Sequence, residues 1–180
     1  MQLRAKTSPA AEMLALAERL AARARDAAAL FVVNDRLDVA LLAGADGLHV
    51  GQHDLTPSAV RRAVAALPSA AGLMIGYSTH NEAQLRAGLD EPVSYLAIGP
   101  VFATTTKAEP DPVIGLEGVG RAAAHTRAAR VPLVAIGGID ASNVRDVIEA
   151  GADVVAVAGE LTNRDAGARA RVLIQLLQSP

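Results

Sequence analysis

The 180-residue chain has no cysteine and no tryptophan, and only two phenylalanines and two tyrosines. Without cysteine there are no disulfides, no thiolate nucleophile and no cysteine-ligated zinc. So little aromatic surface offers no platform for stacking bases, and it leaves the packing to Ala, Val, Leu and Ile. An excess of charge of either sign is also lacking. The formal net charge is −2, too small for sequence-independent attraction to nucleic acid or an anionic membrane. No segment approaches 18 uncharged apolar residues, and the opening MQLRAKTSPA has Arg4 and Lys6 with no apolar stretch behind them. Neither a membrane span nor a signal peptide is expected. The expected setting is the cytoplasm and the expected partners are small molecules, not nucleic acid or membrane. Any anion must then be bound by local features.

What the chain does have is 51% hydrophobic residues, enough for a real core in one domain spanning residues 1–180. Short apolar runs alternate with Ala-rich helical segments, the pattern of successive βα units around a parallel sheet. Seven strands are expected, at 1–5, 30–33, 47–50, 74–76, 95–99, 133–136 and 154–157. Ser8-Pro9 and Thr56-Pro57 each place a capping hydroxyl before a proline suited to the first helical position, and Ser142 or Asp140 is placed to cap the helix running to Ala150. Gly44 and Gly151 stand where helices should stop. The octets AGADGLHV (43–50) and AGADVVAV (150–157) are near copies, with AGLD (87–90) a looser third. A repeated helix-to-strand joint points to a repeated βα fold.

The fold class expected is α/β, a (β/α)8 TIM barrel. Such a barrel has eight strands and ~200 residues or more, so either the first βα unit is missing from this chain or the sheet is open. An open sheet exposes two edges unless another chain, such as a second copy in a homo-oligomer, covers them. The expectation is an amino-terminally truncated barrel whose true start lies upstream.

Each apolar run ends in residues suited to phosphate or magnesium, and ligand chemistry at the carboxyl ends of parallel strands is how such barrels build active sites. On a strand, Gln2, Arg4 and Lys6 share one face; a solvated terminus is the plain alternative. Asn34, Asp35 and Asp54 each follow a strand. In a barrel the two carboxylates become neighbours on one rim, a magnesium-binding arrangement, although Asp after a strand often only forms a turn. Among the histidines no pair has helical metal-ligand spacing. His49 and His125 are read as structural, while His80, beside Ser78, is read either at the rim of the site or as a helix cap. Thr104, Thr106 and Lys107 lie in a long loop reaching Gly115. Their hydroxyls and ammonium suit phosphate oxygens, and the loop reads as a lid or as a solvated linker. AIGGID (135–140) and VAVAG (155–159) put Gly138, Ala158 and Gly159 at turns whose backbone N–H groups can hold a phosphate; the alternative is glycine serving only the tight turn.

Read in order, QLRAK, NDRLDVAL, GADGLHVGQHDL, GYSTH, IGPVFATTTK, AIGGI and GADVVAV make the chain resemble the thiamine phosphate synthases over nearly its whole length. AIGGI is shared by several phosphate-binding barrels; GQHD together with TTTK is distinctive. This family joins a pyrimidine methyl diphosphate to a thiazole phosphate on a (β/α)8 barrel, releasing pyrophosphate and requiring Mg2+. The resemblance implies that Gln2, Arg4, Lys6 and Asn34 face the pyrimidine and its diphosphate, and that Asp35 and Asp54 hold magnesium. It further implies that Ser78 and Lys107 contact the diphosphate, and that Thr104, Thr106, Gly138, Ala158 and Gly159 form the thiazole phosphate site. Many relatives carry serine where Gly159 stands. Ser78, Lys107, Arg4 and Lys6 are the implied catalytic set, stabilising charge on departing pyrophosphate, with no side-chain nucleophile.

The resemblance leaves rivals. A thiazole tautomerase would use His80 as base, but it gives GQHD and TTTK no role. A non-catalytic barrel remnant would keep only the phosphate site. A sugar-phosphate epimerase or isomerase explains AIGGI but not QLRAK.

Overall fold

The computed structural model describes residues 1–104, 111–162 and 165–178. They form two compact units. One comprises Met1–Ser78 with Glu91–Ser94, the other Thr79–Asp90 with the described residues from Tyr95 onward.

In the first unit β1 (Gln2–Leu3), β2 (Val32–Asn34), β3 (Gly47–Val50) and β4 (Met74–Thr79, of which Ser78 is the last residue in this unit) run parallel. The register aligns Leu3, Val33, Leu48 and Ile75 across the sheet. All four are buried, in one core with Met13, Ala17, Ala21 and Ala24 of α1 (Ala10–Asp26), Val39 and Ala40 of α2 (Leu37–Leu42), and Val60 and Val64 of α3 (Pro57–Val64). The α1 residues recur three or four apart, so they form one stripe, and their small side chains let the helix lie close to the sheet. Each fully buried Val, Leu or Ile contributes roughly 1.5–3 kcal/mol. Strand alternation puts Gln2, Asn34, His49 and Ser78 on the opposite face.

In the second unit β5 (Tyr95–Ile98), β6 (Leu133–Ile136) and β7 (Val154–Ala156) are also parallel and paired in sequence order. The helices here are α4 (Glu82–Leu89), α5 (Gly115–Ala129), α6 (Val144–Glu149) and α7 (Ala166–Gln178). Leu96, Ile98, Val119, Ala122, Leu133, Ala135, Val144 and Val147 are buried. Among the described residues no helix is long and apolar enough to cross a membrane.

All seven expected strands are present, two with the expected bounds and the others with shifted ends. β1 is shorter than expected, and β4 runs on to Thr79. The near-copy octets fold alike. In the first, the Asp46 carboxylate accepts from Phe31 N at 2.8 Å while Asp46 N donates to Phe31 O at 2.9 Å. In the second, Asp153 does the same to Leu133, at 2.8 and 3.0 Å. At the third joint the clamping residue is Ser94, whose hydroxyl accepts from Ile75 N at 3.0 Å and whose N–H donates to Ile75 O at 2.7 Å. AGLD itself does not copy the others, since Gly88 lies inside α4.

Two capping expectations are corrected. Pro9, not Ser8, occupies the cap of α1, because its extended backbone (ψ 145°) delays the helix by one residue. At α6 the cap position is Asn143, and neither Ser142 nor Asp140 caps it. The Asp140 carboxylate instead accepts from Ser142 N and Oγ at 2.8 and 2.6 Å, closing a local turn. Thr56 does cap α3, accepting from Ala59 N at 3.2 Å with Pro57 behind it.

Candidate functional site

Where β2 ends, Asp35 N donates to His49 O and Arg36 N donates to Asn34 O, both at 2.8 Å. This tight turn holds Asp35 at φ 64°, a left-handed conformation that Asp tolerates better than most residues. Asp35 faces Lys6, with Nζ to Oδ2 at 3.2 Å, and the Asp54 carboxyl lies within hydrogen-bonding reach. Asp54 is fixed by the GQHD turn, where its Oδ2 accepts from Gly51 N at 2.8 Å. Its turn-forming role and its place beside Asp35 therefore coexist. Burial, and next the neighbouring Asp54 carboxyl, push Asp35 above the usual carboxylate range, and Lys6 partly offsets them. Two carboxylates this close share one excess of negative charge, and such a donor set fits a hard divalent cation.

Asn34 is buried and registers against His49. Ser78 is held at two points. Its Oγ lies 2.7 Å from His49 Nε2, and its carbonyl accepts from Gln52 Nε2 at 2.6 Å. Gln52 also bonds the Tyr77 phenol, which burial and then Glu91 push upward. Gln2, Arg4 and Lys6 are all exposed, around buried Leu3 and half-buried Ala5, but only Gln2 lies on β1, so the expected shared strand face does not extend to Arg4 and Lys6. A hollow of about 450 Å3 in this unit is lined by Leu30, Asp46, Gly72 and Leu73. Those residues precede the strands, so the hollow lies at the end away from Asp35, Asp54 and Ser78.

In the second unit the glycine turn after β6 packs on the segment after β5. Val101 N donates to Ile136 O at 2.9 Å and Phe102 N to Gly137 O at 3.0 Å. Gly138 (φ 65°) must be glycine, because a Cβ there would meet Ala103 O at 2.6 Å and Phe102 Cβ at 2.8 Å. The contact brings Gly138 beside the segment that leads into Thr104. After β7, Ala158 precedes a single 3₁₀ turn, Gly159–Leu161, and both Ala158 and Gly159 are exposed. A Cβ added at Gly159 meets nothing within 4 Å. Thr106 and Lys107 lie outside the described residues.

His80 is not the cap of α4; Asn81 is, accepting from Gln84 N at 2.9 Å. The His80 ring instead lies with Nδ1 2.7 Å from Gly99 O and 3.4 Å from Asp111 Oδ2. The carbonyl can only accept, so Nδ1 carries the proton. His125 Nε2 lies 3.2 Å from Glu82 Oε1, a surface link between α5 and α4. Sequence reasoning missed the part His49 and Gln52 play at Ser78. The signal was present: His49 alternates with the buried apolar residues of β3, and GQHD contains Gln52.

The family model for thiamine monophosphate synthase matches residues 1–161. A thiamine-phosphate synthase of Koribacter versatilis is 44% identical over 179 residues, covering 99% of this chain and 80% of the relative. One from Thermus thermophilus is 44% identical over 178 residues, covering 98% of this chain and 82% of the relative. A solved structure, the thiamine phosphate pyrophosphorylase of Pyrococcus furiosus, superposes with a TM-score of 0.85 at 31% identity, covering 98% of this chain and 81% of that one. The match assigns a TIM-like α/β fold, and together these similarities make the chain a member of the thiamine monophosphate synthase family.

Proposed function

We propose that the chain is the transferase that couples 4-amino-2-methyl-5-pyrimidinylmethyl diphosphate to 4-methyl-5-(2-phosphoethyl)thiazole, or to its carboxylate with loss of carbon dioxide, giving thiamine phosphate and pyrophosphate. The observation that carries this reading is the Lys6, Asp35 and Asp54 cluster, a cation and a close carboxylate pair at strand ends, in a chain of this family.

In the reaction the bond from the pyrimidine methylene carbon to diphosphate oxygen breaks. Its electron pair leaves with pyrophosphate, and the thiazole nitrogen bonds to that carbon. An electron-rich aminopyrimidine supports the positive charge left on the carbon, so no side-chain nucleophile is needed. What the protein must supply is stabilisation of charge on the leaving group, together with positioning. Arg4 and Lys6 supply cations, and the Ser78 hydroxyl supplies a hydrogen-bond donor. Lys107, from outside the described residues, joins them in this reading. Magnesium held by Asp35 and Asp54 would neutralise diphosphate oxygens. Gln2 and Asn34 read the pyrimidine. Thr104, Thr106 and the backbone N–H groups around Gly138, Ala158 and Gly159 hold the thiazole phosphate, supported by the positive-φ glycine turn after β6.

The test separates the two ligand sets. Asp54→Asn should lower magnesium-dependent turnover at least 100-fold, the scale of losing an electrostatic group from such a site. Thiazole phosphate binding, measured by calorimetry, should stay within a few-fold of wild type. Equal loss of both would contradict the assignment.

A further inference from the structure

We propose that His49 is a positioning residue for Ser78, and that its Nε2–H donates to Ser78 Oγ so that the serine proton stays available for a diphosphate oxygen. The inference rests on the reading of Ser78 as a diphosphate contact. Its structural basis is local. The register pairs His49 with Gly76, and Ser78 lies two residues further along the same face, which brings Nε2 to 2.7 Å from Oγ. His49 is 7% exposed on a central strand, so its ring is held by packing. Gln52 fixes the other polar end of the serine by donating to its carbonyl at 2.6 Å.

A hydroxyl has one donor and two acceptor positions. Were Ser78 to donate to His49, its lone pairs would be presented to an anionic ligand. With the histidine as donor, one lone pair is taken up and the proton stays free to be donated onward, and an anion selects that arrangement. A serine without His49 keeps its hydroxyl but loses the restraint on its rotor.

The test combines single and double variants, with rates read from thiamine phosphate formation. Ser78→Ala should lower kcat by about 100-fold, and His49→Ala by about 10-fold or more. The double variant should be no slower than Ser78→Ala alone, because both substitutions remove one unit. The amide nitrogen of Gln reaches the place of imidazole Nε2, whereas that of Asn reaches only the place of Nδ1. His49→Gln should therefore recover to within a few-fold of wild type, and His49→Asn should not. Losses that multiply in the double variant, or Gln and Asn variants that behave alike, would overturn the proposal. Wild-type protein gives an independent check. With magnesium and pyrophosphate present, nitrogen-15 NMR should show Nε2 of His49 protonated; an unprotonated Nε2 would overturn the assignment even if the variants fail to fold. If Ser78→Ala turns over like wild type, the reading of Ser78 falls and the proposal with it. If Ser78→Ala is slow and His49→Ala is not, only the proposal falls.

Discussion

At the scale of single residues, one chemical solution recurs. Asp46, Asp153 and Ser94 each precede a strand and clamp residues at or near the start of another by one side-chain and one backbone bond. The clamp satisfies an N–H at a sheet end that has no other strand residue to meet it. Asp153→Ala should cost about 1–3 kcal/mol of stability in chemical denaturation, and Asp153→Asn less, since the amide oxygen still accepts. Asp35 has the opposite character. Burial and the neighbouring Asp54 carboxyl make it hold its proton more tightly folded than unfolded. The stability this gives is present below the ordinary carboxylate value and is lost as pH rises through the folded one. Once Asp35 has ionised, its buried charge thus opposes the fold. Asp35→Asn should leave the metal-free melting temperature unchanged or higher and abolish stabilisation by magnesium, read in melts with and without the ion. Burial likewise pushes the Tyr95 phenol up to about 12. Its contribution, on the order of 3 kcal/mol at most, is fully present below about pH 10 and lost between about 10 and 12. Tyr95→Phe should flatten that alkaline loss of stability.

At the scale of elements, four helices end the same way. After α1, α2, α5 and α6 the chain turns through a left-handed residue, with a bond from the next N–H back to a carbonyl five residues earlier: Ala29 to Ala24, Ala45 to Ala40, Val131 to Thr126, and Ala152 to Val147. The left-handed residues are Ala28, Gly44, Arg130 and Gly151. Only the two glycines were legible in the sequence, because a glycine announces this conformation and an alanine or arginine does not. Arg130→Gly should therefore stabilise by about 0.5–1 kcal/mol, the left-handed cost of a side chain less the entropy that glycine adds unfolded. Strands were the most legible elements, since β-period alternation and flanking polar residues mark them, and Gly47–Val50 and Leu133–Ile136 fall where expected. Helix starts were less so: Ser8 carries cap-like chemistry but the cap position falls on Pro9, and the Asp140 and Ser142 pair closes a local turn while Asn143 takes the cap position. Individual site residues were legible by type and place. The hold of His49 on Ser78 was not, because it depends on strand register across 29 residues of sequence.

At the scale of the whole molecule, a chain of net charge −2 is expected to bind two phosphorylated substrates, which is feasible only if the attraction is local. The proposed ligand sets fall in different stretches of the chain, and hydrogen exchange can map them. Magnesium with pyrophosphate should protect amides near 34–36, 51–54 and 78, whereas thiazole phosphate should protect those near 137–138 and 158–159. Gly159 adds a further opportunity. A serine Cβ fits there without contact, so Gly159→Ser should lower the KM for thiazole phosphate several-fold by adding one hydroxyl donor to an anion.

The most direct measurement is magnesium-dependent formation of thiamine phosphate by this chain from both phosphorylated substrates, read after oxidation to fluorescent thiochrome. The account predicts product that depends on both substrates and on magnesium, and that is lost in Asp54→Asn. Folded protein that binds both substrates and releases no thiamine phosphate would contradict it.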